Sequence, residues 1–223
     1  MKTLFKPLLV LVLATVTLAS CMKDTSAEDE ARQREIEEKI FAQLEADTKA
    51  IQDFADENPS EAPGGWRKDD VDQRFPTLNK TVKRGYQFEV LADPIPEEGE
   101  EEYEYKFAQN GQGVIFPKVK VNYSVSLLNG TEVQSGENRE IDLATFHTNQ
   151  EVYTDTWVYS FFPKTIRYNE EDRHIGGLTA KGLRKGSHIR VLAPSLYAFG
   201  DQKVGEIPAN SPLVYEFEVL EIE

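Results

Sequence analysis

Few side chains in this chain are placed for covalent or acid–base chemistry. There is one cysteine, Cys21, and three histidines, His147, His174 and His188, far apart in sequence. A single cysteine excludes a disulfide framework and any multi-cysteine metal site. Each histidine reads as an ordinary solvated residue: His188 alternates with Ile189, and His174 follows Glu171-Asp172-Arg173 in a polar stretch. No Gly-x-Ser-x-Gly elbow offers a serine nucleophile, and Gly111-Gln112-Gly113 lacks the third glycine and the helix of a phosphate loop. The acidic run from Asp93 to Glu102 lacks the ligand spacing of a calcium loop and reads as a solvated loop. No metal and no cofactor is expected. The formal charge is 25 − 39 = −14, which argues against nucleic acid, because a phosphate backbone needs clustered Lys and Arg.

Cys21 has its own context. Lys2 and Lys6 precede an apolar run, Leu8 to Thr17, of about ten residues, too short to span a bilayer and right for a signal peptide. Leu18-Ala19-Ser20-Cys21 then resembles a bacterial lipobox, in which cleavage before the cysteine leaves it lipidated. Residues 1–20 are thus expected to be a signal peptide. Acyl chains on Cys21 would hold the rest at a membrane, since several chains exceed what stable anchoring needs. Without Lys2 and Lys6 the charge is 23 − 39 = −16, so anionic lipid gives no help. Met22 stands where such lipoproteins carry an inner-membrane retention aspartate, which points to the outer membrane of a cell envelope.

The elements that would position a site follow from periodicity. Residues 21–31 are polar and read as a tether. Residues 32–58 read as a helix: Ile36, Ile40, Leu44, Ile51 and Phe54 form a stripe at helical spacing, with Phe41 beside it. That thin stripe needs a partner, either the main domain or a second copy in a homodimer through helix 32–54. Asn58-Pro59, Pro63 and Gly64-Gly65 mark a linker, 59–78. Residues 79–223 read as one domain. Tyr86, Phe88 and Val90 alternate with polar residues, as do Val119, Val121, Tyr123, Val125 and Leu127. Asn129-Gly130 is a hairpin signal, with Thr131 to Gln134 as the return and Arg139 to Thr145 as a further strand. Trp157 to Ile166 has no clear period. Ile175 to Lys185 reads as a turn or short helix closed by Gly186. Ile189, Val191 and the run Leu213, Tyr215, Phe217, Val219 complete the strands. Dominant antiparallel strands with one short crossing helix predict an α+β fold.

Three ordered motifs then resemble FKBP-type peptidyl-prolyl cis-trans isomerases. Val119-Lys120-Val121-Asn122-Tyr123-Ser124 with Leu128-Asn129-Gly130-Thr131 resembles their first core hairpin. Gly182-Leu183-Arg184-Lys185-Gly186, followed by Ala193-Pro194-Ser195-Leu196-Tyr197-Ala198-Phe199-Gly200, resembles their helix end, strand and Tyr-Ala-Tyr/Phe-Gly loop. Ile207-Pro208-Ala209-Asn210-Ser211-Pro212-Leu213-Val214-Tyr215 resembles their terminal Ile-Pro-Pro-Asn-Ser-x-Leu-Val-Phe. The motifs lie within 119–223, and the helix before a linker is similar to that of envelope lipoproteins of the family. The resemblance implies a twisted antiparallel sheet wrapped on a short helix, proline-containing polypeptide clients, and catalytic residues Tyr123, Phe199, Ile207 and Tyr215.

The implied chemistry needs no acid or nucleophile. An X–Pro bond turns over a barrier of about 18–20 kcal/mol, set by amide resonance. The twisted amide is less polar than the planar one, so a dry aromatic pocket favours it, which is catalysis by differential binding. A thousandfold acceleration requires only about 4 kcal/mol. Three substrate-binding positions depart from the family pattern. Val133 stands for a ring, Gln134 for a carboxylate, and Gly177-Leu178 for a Gly-Trp that opens the helix. Leu178 would give a shallower floor unless Trp157, in the long insertion 149–173, fills in. Phe199 lacks the hydroxyl of a tyrosine. These departures carry the alternative: a weakly active or inactive binding and chaperone module, docking or dimerising through its N-terminal helix.

Overall fold

The computed structural model describes residues 26–94, 102–109, 111, 113–148 and 153–223. Cys21, its signal peptide and residues 149–152 of the insertion lie outside the described residues.

Helix α1 runs over Ser26–Glu57, free of Gly and Pro until Asn58-Pro59 stops it. The Asn58 side chain and backbone N–H both donate to the Phe54 carbonyl, at 2.9 Å each. Ion pairs Arg34–Glu38, Glu35–Lys39 and Lys49–Asp53 line its exposed side, each worth only about 0.3–0.5 kcal/mol. Packing holds the helix instead: Phe41, Leu44, Ile51 and Ala55 are buried, at roughly 1.5–3 kcal/mol for each fully covered large side chain. Their cover is the chain's own domain. A homodimer through helix 32–54 therefore loses most of the apolar stripe that motivated it; Ile36, 42% exposed, is the large residue of the stripe left uncovered.

Two boundaries differ from the sequence reading. Residues 26–31 of the expected tether are already helical. The expected linker 59–78 carries β1 (Arg67–Lys68) and β2 (Asp72–Phe75). β1 pairs with β4 (Gln87–Ala92), and β2 forms a separate hairpin with β3 (Lys80–Lys83). Prolines and glycines mark turns, and here the turns lie between short strands whose pairing is non-local. Phe75 is 2% exposed, packed edge-on against Phe41 at 5.4 Å, so this segment is core.

The main sheet adds β5 (Lys118–Leu127), β6 (Glu132–Asp142), β9 (His188–Ala193) and β10 (Leu213–Ile222). Its order is β1-β4-β9-β10-β5-β6, antiparallel throughout. Gly130, at φ +84, closes the β5–β6 hairpin where Asn129-Gly130 predicts it. Arg139–Asp142 continues β6 rather than starting a new strand. The sheet thus has the α+β character expected, with two unlike faces. Val121, Tyr123, Val125, Ile189, Val191, Tyr215, Phe217 and Val219 form the inner face against α2 (Asp155–Phe161). On the outer face, Leu192 and Val214 pack on Ile51 and Ala55 of α1.

Helix α2 falls in the stretch whose period was illegible. Residues 175–185, expected as turn or helix, hold no helix; Leu178 and Leu183 instead hang their N–H groups on the Tyr159 and Phe161 carbonyls. Between them lies the insertion's own hairpin, β7 (Thr165–Tyr168) with β8 (Glu171–His174).

Candidate functional site: a ring cluster on the inner sheet face

Register fixes the first rings. On the inner face Phe217 lies opposite Tyr123 on one side and Ile189 on the other, while Tyr215 lies opposite Val125 and Val191. Above this row sits Trp157 of α2, with no exposed surface. Its indole meets Phe217 at 4.7 Å, Tyr123 at 5.0 Å and Tyr153 at 5.1 Å between ring centroids, all edge-on, and stacks over Phe161 at 6.0 Å. Edge-on pairs set ring hydrogens against the electron-rich face, worth about 0.5–1.5 kcal/mol each beyond burial. Tyr123 lies across β6 because Gly136 stands opposite; a Cβ there would meet the Tyr123 ring edge at 2.6 Å.

Phe199 and Ile207 come from the long connection between β9 and β10. They are 9% and 2% exposed and belong to the same apolar cluster as Tyr123, Val133, Trp157 and Tyr215. The connection is internally tied: the Gly200 N–H donates to Ser195 O at 2.8 Å and the Asn210 N–H to Gly200 O at 2.7 Å. Val133 sits where β5–β6 shifts register, and Gln134, half-buried, lies opposite Val125.

Hydroxyl partners separate the tyrosines. The Tyr215 hydroxyl is buried against the Thr154 hydroxyl at 3.1 Å. Burial pushes its pKa far up, although the threonine bonds pull the other way. Burial, with Tyr153 nearby, also raises Tyr123. Both phenols therefore stay neutral at physiological pH. The cluster is an uncharged set of packed rings with weak donors, unsuited to proton abstraction.

The sequence-derived candidates fare unequally. Tyr123, Val133, Trp157, Phe199, Ile207 and Tyr215 come together in one cluster, as does Leu178, 1% exposed. Leu178 does not open a helix, because the helix lies before the β7–β8 hairpin; Trp157 is the residue that stands over the sheet. Tyr215 is wholly buried in the cluster, and its hydroxyl is spent on Thr154. Tyr153, Phe217, Gly136 and Thr156 were missed. The Thr156 hydroxyl donates to the Tyr197 carbonyl at 2.9 Å and meets the Tyr86 hydroxyl at 3.1 Å, joining α2 to the loop of Phe199. Tyr153 lies just before α2, and no local signal in the sequence pairs it with Trp157.

An antiparallel sheet crossed by a short helix, with a long loop feeding an aromatic cluster, defines the class: an α+β domain with rings packed on its inner sheet face. No protein-family model matches the chain. Among curated proteins, it is 31% identical over 143 residues to an FKBP-type peptidyl-prolyl cis-trans isomerase, FkpA, of Aeromonas hydrophila, covering 60% of this chain and 45% of that one. It is 29% identical over 109 residues to the protein of the same name from Buchnera aphidicola, covering 48% and 33%. The chain thus spans less than half the length of these relatives. Among solved structures, it is similar to FkpA from Escherichia coli at 21% identity and a TM-score of 0.40, over 89% of this chain and 68% of that one. Over the part that the sequence matches cover, the chain is similar to FKBP-type peptidyl-prolyl cis-trans isomerases.

Proposed function

We propose that this chain is a lipid-anchored peptidyl-prolyl cis-trans isomerase of the cell envelope, acting on proline-containing polypeptides. The observation that carries this reading is the Tyr123–Tyr153–Trp157–Phe217 ring cluster, with Phe199, Ile207 and Val133 packed into the same assembly. An X–Pro segment entering between Tyr123 and the Phe199 loop would exchange water for rings. The planar amide, the more polar form, loses more by that exchange than the twisted amide does, so the barrier falls. Acyl chains on Cys21 would hold the domain at the membrane, and the outer membrane follows from Met22.

The test is an X–Pro peptide isomerisation assay on the chain from residue 21 with Cys21→Ser, which removes the lipid site. Acceleration over buffer at micromolar protein, lost at least tenfold in Tyr123→Ala, is expected. No acceleration refutes the enzymatic reading. Wild-type protein in the membrane fraction and Cys21→Ser in the soluble one would support the anchor; equal partition would refute it.

A second reading is favoured by one observation. Trp157 and Tyr215 have no exposed surface, and Phe199 keeps 9%. Rings covered this closely suit a binding or chaperone module of weak or no turnover. An inactive chain that still cross-links unfolded envelope proteins would select this reading.

A further inference from the structure

We propose that Asp47, on α1, is a positioning residue for the proline site, acting through the loop that carries Phe199; the inference rests on the isomerase reading above. Asp47 is 2% exposed, yet it is aimed at a loop 148 residues away in sequence. One carboxylate oxygen accepts the Ser195 backbone N–H at 2.8 Å and the Ser195 hydroxyl at 2.6 Å. The other accepts the Gln43 side-chain amide at 2.7 Å, and that amide also reaches the Asn210 carbonyl at 3.4 Å. Ser195 starts the loop and Asn210 follows Ile207 by three residues. One turn of α1 therefore holds both ends of the segment that delivers Phe199 and Ile207.

The fit is tight enough to transmit position. Gly85, at φ +87, lets α1 approach: a Cβ there would stand 2.5 Å from the Thr48 hydroxyl and 3.2 Å from Pro194, the residue before Ser195. From Ser195 the chain is tied turn by turn. Its carbonyl accepts the N–H groups of Ala198 at 2.9 Å and Gly200 at 2.8 Å, bracketing Phe199. A shift of Ser195 is thereby a shift of the Phe199 ring. Catalysis by a shaped hollow is sensitive to such shifts, because misplacement by about 1 Å costs up to about a hundredfold. The N-terminal helix is then part of the site's frame.

The same helix supplies the control. Glu37, 8% exposed, binds Thr77 in the same two-bond pattern, its carboxylate accepting the backbone N–H at 2.9 Å and the hydroxyl at 2.8 Å. Thr77 lies in the β2–β3 turn and carries no residue of the ring cluster. Asp47→Ala, Asp47→Asn and Glu37→Ala are compared in the chain from residue 21 carrying Cys21→Ser. The readouts are kcat/KM on an X–Pro peptide and amide hydrogen exchange of 195–200 against β5 and β10. Asp47→Ala is expected to lower kcat/KM at least tenfold and to speed exchange of 195–200 at least tenfold, with β5 and β10 within twofold of wild type. Asp47→Asn should recover most of both, since its amide oxygen can accept from Ser195 and its NH₂ can face a flipped Gln43. Glu37→Ala should leave both within twofold. Equal losses in Asp47→Ala and Glu37→Ala, or uniform exchange across the sheet, would overturn the proposal and leave Asp47 a general stabiliser. If wild type has no isomerase activity, the isomerase reading fails separately, and the exchange comparison still decides whether Asp47 holds the loop.

Discussion

Replacing Trp157 tests the packing of the site most directly. Its indole has no exposed surface and touches four rings, yet its N–H is buried with no hydrogen-bond partner among the described residues. Two opposed costs follow. Truncation to Ala removes the ring contacts and opens a cavity, which costs about 3–5 kcal/mol. Replacement by Phe removes about three ring atoms, a loss of about 1–2 kcal/mol at the usual transfer scale. It also removes an unpaired buried donor, whose desolvation costs about 1–3 kcal/mol. The two nearly cancel, so Trp157→Phe should lie within about 1 kcal/mol of wild type while Trp157→Ala loses about 3–5. Urea unfolding followed by circular dichroism measures both, with the slope fixed by the exposed surface. In a Trp66→Phe background the emission of Trp157 should be blue-shifted in the folded state and red-shift on unfolding. Should Trp157→Phe lose as much as Trp157→Ala, the orphan N–H is not costing stability and the reasoning fails.

Two further outcomes are expected. Arg84 and Asp69 form a buried pair at 2.7 Å, with side chains 5% and 0% exposed, and Arg84 also reaches the Gly176 carbonyl. Asp69→Asn should lower the urea midpoint by the equivalent of about 3–5 kcal/mol, because a buried guanidinium is left uncompensated; a loss below about 1 kcal/mol would contradict the pairing. On the outer face, burial pushes the Glu216 carboxyl up, but hydrogen bonds from His188 at 2.7 Å and Arg190 at 3.0 Å outweigh it and hold its pKa below that of an ordinary glutamate. A lowered folded pKa contributes stability above the unfolded value that is lost as pH falls through the folded one. Stability measured from pH 5 to 3 should therefore drop less steeply in Glu216→Gln than in wild type; parallel curves would refute the assignment.

The helix, the β5–β6 hairpin, β9 and β10 were legible because their signals are local. Alternation along Val119–Leu127 and Leu213–Val219 needs no partner to be read, and Gly130 takes the left-handed conformation that its place after Asn129 suggests. Helix α2 was not legible: seven residues are too few for a period, and its rings read equally as strand. The insertion hid the offset as well. Leu178 stands close to the motif Gly182–Gly186 in sequence, so it looked like the helix residue, while the hairpin 165–174 had moved Trp157 upstream of it.

The amino-acid sequence by itself determined the strands' two faces, the turn at Gly130, the helical character of 32–57 and the kind of residue available to the site, which is aromatic and uncharged. Tertiary structure alone decided that Trp157 covers Phe217, that Tyr215 is sealed beneath, and that α1 lies against the outer sheet face with Asp47 on Ser195. Periodicity says which side of an element is apolar, but not what lies against that side. The pairing of residues about 40 to 150 positions apart is settled by which whole arrangement buries the most surface with its polar groups bonded.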